Sequence, residues 1–117
     1  MKKPLAFIVE DDIYLCQIYA KALAVDFETE IANDGSTALM RLAQITPEVI
    51  LLDLNLPGLG GKDILADIRS NPSLKNAHVI LCTADSQQAN ILQEQADIVM
   101  LKPVSPAQLR QIAARFT

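Results

Sequence analysis

The chain has 117 residues, enough for one domain whose core removes about two-thirds of the unfolded surface from water. Half of the residues are hydrophobic and 21% are charged, which excludes a disordered chain, and a net charge of −4 argues against nucleic acid as a direct partner. No apolar run approaches a signal peptide or a membrane span, so no membrane association and a cytoplasmic setting are expected.

Taken in chain order, short apolar runs alternate with stretches of helical period. "LAFIV" (5–9) reads as a first strand, followed by apolar residues three or four apart over 13–24, with Asp12 placed to cap that helix. "ETEIA" (28–32) reads as a second strand and 36–45 as a second helix. "NDG" (33–35) is not taken as a hairpin, because a helical period follows it. "EVILLD" (48–53) is the most apolar strand, and "GKDILADIRS" (61–70) the helix after it, ended by "NPS" (71–73). "HVILCT" (78–83) and "IVML" (98–101) complete the strands. The last two helices are predicted over 86–95 and 106–116, the latter opened by Ser105 and Pro106. Five β-α repeats with nearly all-apolar strands predict a doubly wound α/β fold, a five-stranded parallel sheet covered by helices on both faces. Cys16 and Cys82 have no metal-ligand spacing and read as buried small hydrophobes in a reducing compartment.

In such sheets the site lies outside the carboxyl ends of the strands. There the first strand ends in Glu10, Asp11 and Asp12, the third in Asp53, the fourth in Thr83 and the fifth in Lys102; only the second ends blandly. Packed carboxylates either hold protons or gather a divalent cation. Oxygen donors alone, with no His or Cys beside them, select a hard ion such as Mg²⁺. A lysine and a hydroxyl facing that ion suit an anion with several oxygens, phosphate above all. With no other nucleophile at these ends, Asp53 itself is the candidate for attack on phosphorus, giving an acyl phosphate.

"FIVEDD", "ANDGSTAL", "VILLDLNLPG", "LCTA" and "LKP", in order and over essentially the whole length, resemble the receiver domain of two-component response regulators. The resemblance implies a flavodoxin-like strand order 2-1-3-4-5, with residues 1–117 forming the receiver and no output domain in this chain. It implies phosphorylation of Asp53 by a histidine kinase or histidine phosphotransfer protein, and control of a downstream effector. Mg²⁺ would be held by Asp11, Asp53 and the backbone carbonyl of Asn55, with Glu10 acting through water, while Thr83 and Lys102 would contact the phosphoryl group. Lys102-Pro103 matches a peptide bond usually cis in the family.

Asp12 reads as a helix cap more than a member of the acid cluster, His78 as structural, and "QEQ" and "KK" as solvated surface. "PGLGGK" (57–62) is a turn and not a phosphate-binding loop, since Leu56 and Asp63 stand where that motif needs glycine and Ser/Thr. The family pattern is broken at Gly60, where an acidic residue is usual, at Val104 in place of phenylalanine, and at Val99 in place of an aromatic residue that normally takes part in the switch. Two other functions compete with phosphoacceptor signalling. One is a degenerate receiver that docks unphosphorylated; the other is a small phosphohydrolase, which the chain leaves no room for. The domain is accordingly read as a phosphoacceptor and not as an enzyme.

Overall fold

Side-chain alternation in a strand sends neighbouring residues to opposite faces, so an all-apolar strand must be covered on both. The computed structural model describes residues 2–117 and realises this arrangement. Its strands are β1 (Leu5–Val9), β2 (Glu28–Ala32), β3 (Val49–Asp53), β4 (His78–Thr83) and β5 (Ile98–Leu101). The helices are α1 (Ile13–Leu23), α2 (Gly35–Leu42), α3 (Gly61–Ser70), α4 (Ser86–Leu92) and α5 (Pro106–Ala114). All strand pairs are parallel and the order is β2-β1-β3-β4-β5, as the resemblance implies. All five residues of the central strand, β3, are buried.

The two faces carry separate cores. Phe7, Val9, Ile50, Leu52, Val79 and Leu81 pack against Ala38, Leu42, Ile64, Leu65, Ile68 and Leu92 from α2, α3 and α4. Ala6, Ile8, Val49, Leu51, Ile80 and Cys82 pack against Tyr19 and Leu23 of α1 and Leu109 and Ala113 of α5. Both cysteines are free and buried. Among the described residues no helix is long and apolar enough to cross a membrane.

The helix starts follow their caps. Asp12 accepts the N–H groups of Tyr14 and Leu15 at 2.9 and 3.1 Å, Ser105 accepts that of Gln108, and Pro106 takes the first helical position. Residues 57–60 form the turn that leads into α3, with Gly58 at φ +71°. At Gly61 a Cβ would stand 2.6 Å from the Asp53 carbonyl oxygen, so glycine lets α3 begin against the exit of β3.

Four helix ends fall short of the predicted bounds, that of α1 by one residue. α2 stops at Leu42 and not at residue 45, because Gln44 and Ile45 both turn their N–H groups back to the Arg41 carbonyl ahead of Pro47, which disfavours helix in the residue before it. α4 stops at Leu92, its one buried residue, and Gln93–Gln95 form a separate 3-10 turn with nothing buried to extend the stripe. α5 stops at Ala114, and Phe116 leaves the helix to stack on His78, ring centroids 4.3 Å apart.

His78 is structural, as expected. It lies 3.4 Å from Asp97 Oδ1 at the amino edge of the sheet. Asp97 Oδ2 accepts the Val79 N–H at 2.7 Å and an Arg69 N–H at 3.2 Å, tying β4, β5 and α3 together. Burial opposes ionisation of Asp97, but these donors outweigh it and hold the carboxyl below its ordinary range. Asp97→Ala is expected to lower unfolding stability by about 2 kcal/mol, with Asp97→Asn losing roughly half of that because an acceptor remains. Urea unfolding measures both, and two equal, negligible losses would show that the clamp contributes nothing.

Candidate functional site

Glu10 follows β1, Asp53 closes β3 and Lys102 follows β5, so all three stand at one edge of the sheet. Glu10 and Asp53 are 2% and 3% exposed, and each needs a partner to remain charged there. Lys102 supplies one to both, its Nζ lying 3.3 Å from Glu10 Oε1 and 3.1 Å from Asp53 Oδ2. Asp11 is exposed, and one carboxylate oxygen from each of Glu10, Asp11 and Asp53 falls within 4.8 Å of the other two. Residues 92 positions apart in the chain meet in this cluster.

One ammonium does not balance three acids. The carboxyl of Glu10 is pushed up to about 7, chiefly by burial and further by the hydrogen bond and negative charge of Asp53. The Asp12 N–H, 3.2 Å from Glu10 Oε2, and Lys102 pull the other way without cancelling the effect. Burial disfavours the charged form of Lys102, but Asp53 and Glu10 outweigh it and hold the ammonium above its ordinary pKa.

The surroundings fix the acids in place. Asp53 Oδ1 accepts the N–H of Asn55 at 3.0 Å, which keeps the backbone of the exposed Asn55 beside the cluster. The Glu10 carbonyl accepts the Cys16 thiol at 3.2 Å and an Asn33 side-chain N–H at 3.0 Å. Burial, helped by Glu10 and Asp12, pushes the Cys16 thiol up to about 11, so it stays protonated. Asn33 was missed by reading strand ends, because its amide is neither acid, base nor nucleophile and its bond is to a backbone carbonyl; the signal available was its place in "ANDG".

Thr83 is fully buried at the end of β4, and its backbone carbonyl accepts the Lys102 N–H at 2.8 Å. Its hydroxyl is not bonded to the acids. It accepts the Asp85 N–H at 3.0 Å and donates to Gln88 Oε1 at 3.4 Å. Of the predicted site residues, then, Glu10, Asp11, Asp53 and Lys102 cluster, Asn55 adjoins them, and Thr83 stands on the neighbouring strand turned toward α4. The Lys102-Pro103 peptide is cis, as expected.

A doubly wound parallel sheet with an acid and lysine cluster at its carboxyl edge defines the class: an α/β domain of flavodoxin-like topology. The chain belongs to the response regulator receiver domain family, whose sequence model matches residues 6–114, and so to two-component signal transduction. It is 30% identical over 117 residues to the chemotaxis protein CheY-3 of Vibrio cholerae, covering 95% of this chain and 90% of that one. It is 30% identical over 106 residues to the DNA-binding response regulator MtrA of Mycolicibacterium smegmatis, covering 87% of this chain but only 45% of MtrA. The chain thus spans about half the length of that relative. The phosphorylated cyanobacterial phytochrome response regulator RcpA superposes with a TM-score of 0.80 at 31% identity, over 94% of this chain and 88% of that one.

The raised Glu10 carboxyl has a pH signature. Between its unfolded value near 4.5 and its folded value of about 7, the folded chain binds more protons than the unfolded chain, so stability falls as pH rises through that window. With metal chelated, the fall is expected to reach roughly 2–3 kcal/mol by pH 8, and Glu10→Gln should flatten it. Denaturant midpoints at pH 5 and pH 8 test this, and an unchanged slope in Glu10→Gln would assign the effect elsewhere.

Proposed function

We propose that the domain accepts one phosphoryl group on Asp53 from a phosphohistidine of a histidine kinase or histidine phosphotransfer protein, with Mg²⁺, and in that form acts on a downstream effector. The observation that supports this most is Lys102 Nζ reaching both buried acids at the strand ends. Among the described residues neither the Cys16 thiol, which is bonded to a carbonyl, nor His78, which lies at the far edge of the sheet, is placed to compete with Asp53.

In this reading an Asp53 oxygen attacks phosphorus, and an O–P bond forms as the N–P bond of phosphohistidine breaks. The electron pair stays with the leaving imidazole nitrogen, which then takes up a proton. Lys102 holds positive charge toward the phosphoryl oxygens, and Thr83 is the hydroxyl available on the adjacent strand. Glu10, Asp11 and Asp53 offer oxygen donors only, which suits a small hard cation; as the family resemblance implies, the backbone carbonyl of Asn55 would join them and Glu10 would act through water. Such an ion would supply charge neutralisation for the phosphoryl oxygens. The chain is a phosphoacceptor and turns over no external substrate. RcpA being solved as a phosphorylated protein is consistent with this reading. DNA binding belongs by name to MtrA, and the net charge of −4 leads us to assign no direct nucleic-acid contact to residues 1–117. A kinase-presented phosphohistidine implies a cytoplasmic setting.

Incubation with a small acyl-phosphate donor should add the mass of one phosphoryl group with Mg²⁺ and none with chelator. Asp53→Asn should fold and stay unmodified. Unmodified wild-type protein that still binds a partner would instead favour the unphosphorylated docking module.

Mg²⁺ binds only the folded cluster and relieves repulsion among its acids, so a saturating concentration is expected to raise the melting temperature by about 5 °C or more. Asp11→Ala should abolish that rise while leaving the metal-free midpoint equal or higher. A full Mg²⁺ response in Asp11→Ala would move the ion elsewhere.

A further inference from the structure

The Thr83 hydroxyl has one hydrogen, and in this structure that hydrogen goes to Gln88 Oε1 at 3.4 Å. The hydroxyl oxygen is occupied as well, accepting the Asp85 N–H at 3.0 Å. Strand alternation explains the direction: Thr83 falls on the face of Val79 and Leu81, toward α4, whereas Asp53 falls on that of Val49 and Leu51, toward α1 and α5. Gln88 is half-buried on the first turn of α4. That helix has seven residues and buries only Leu92, while Ile91 is 70% exposed, so little apolar packing holds it against the sheet.

We propose that Gln88 is a positioning residue that holds Thr83 turned away from the phosphoryl site, and so sets how readily the site closes on an anion. The inference rests on the reading of Asp53 as the acceptor. For Thr83 to donate to an oxygen on Asp53, its bond to Gln88 must break. The hydroxyl then leaves α4 as it turns toward the pocket, and the contact most directly released is the one at the first turn of that helix. The Gln88 amide oxygen and the anion compete for a single proton donor, and the state with the donor on Gln88 is the unmodified one.

The sign of the effect follows. A side chain of similar length without a good acceptor, as in Gln88→Met, strands the hydroxyl in the unmodified state and favours the anion-bound one. Beryllofluoride with Mg²⁺ is the probe, titrated while amide chemical shifts are followed. Gln88→Met and Gln88→Ala should each bind it roughly two- to tenfold more tightly than wild type, the range expected for one net hydrogen bond. Gln88→Glu keeps an acceptor, makes it charged, and should bind no more tightly than wild type. In a Thr83→Val background, Gln88→Met should have no effect, because the competed-for hydrogen is gone.

A purely structural role for Gln88 would lower the metal-free denaturant midpoint and leave or weaken the affinity, with or without the Thr83 hydroxyl. Wild-type protein that binds beryllofluoride no differently from Gln88→Met would overturn the inference alone. Equal gains from Gln88→Met with and without the Thr83→Val substitution would overturn it too. Wild-type protein that binds no beryllofluoride in the presence of Mg²⁺ would remove the Asp53 reading, and this inference with it.

Discussion

Two carboxylates buried within reach of a single ammonium govern this molecule. A buried charge without compensation is strongly unfavourable, and Glu10 and Asp53 share Lys102 while Asp11 adds a third negative group at the rim. The sheet holds them there nonetheless. β3 lies between β1 and β4 with every side chain buried, and Asp53 cannot retreat to solvent without dismantling the centre of the fold. Glu10 is fixed through its carbonyl by Cys16 and Asn33, so the backbone presenting its acid is anchored to both α1 and the end of β2. The folded scaffold therefore keeps the site in an incompletely neutralised state that a bound cation would relieve.

The scaffold is unequal on its two sides. α1 buries Cys16, Tyr19 and Leu23 and packs beside α5, which buries Leu109 and Ala113. α4 has Leu92 alone. α4 is therefore the side of the site with the least apolar surface to lose. The departures from the family pattern fit around these cores: Val99 packs against the α2–α4 side and Val104 against the α1–α5 side, each filling space as a half-buried aliphatic group. Val99 offers no polar tip such as an aromatic alcohol carries, so shape on the α4 and β5 surface would have to be communicated through backbone and apolar contact.

Much of this was legible in the chain because periodicity and punctuation agree locally. Four strands are apolar runs of four to six residues, and the caps at Asp12 and Ser105 stand immediately before their helices. The cluster was legible because each acid or base closes such a run. What escaped depends on approach between elements. Asn33 looks like any turn residue until Glu10 is placed beside it, and Gln88 is one polar residue among several in the predicted 86–95 helix until Thr83 is found facing it. Ile45 and Phe116 keep the helical apolar spacing after the helix has ended, because both still pack inward from non-helical backbone. Periodicity reports which side chains are buried, and only indirectly which backbone carries them.

Sequence separation at the site has a consequence for how the chain comes into being. Glu10 and Lys102 touch across 92 positions, and Asp53 sits between them on the central strand. Parallel strands joined by helical crossovers pair late, since each pairing must first close a long loop. A chain still emerging from the ribosome, with β5 unformed, has its acids but not its ammonium. A chain clipped between β4 and β5 is in the same position. The cluster is consequently complete only once β5 has joined the sheet and brought Lys102 to Glu10 and Asp53.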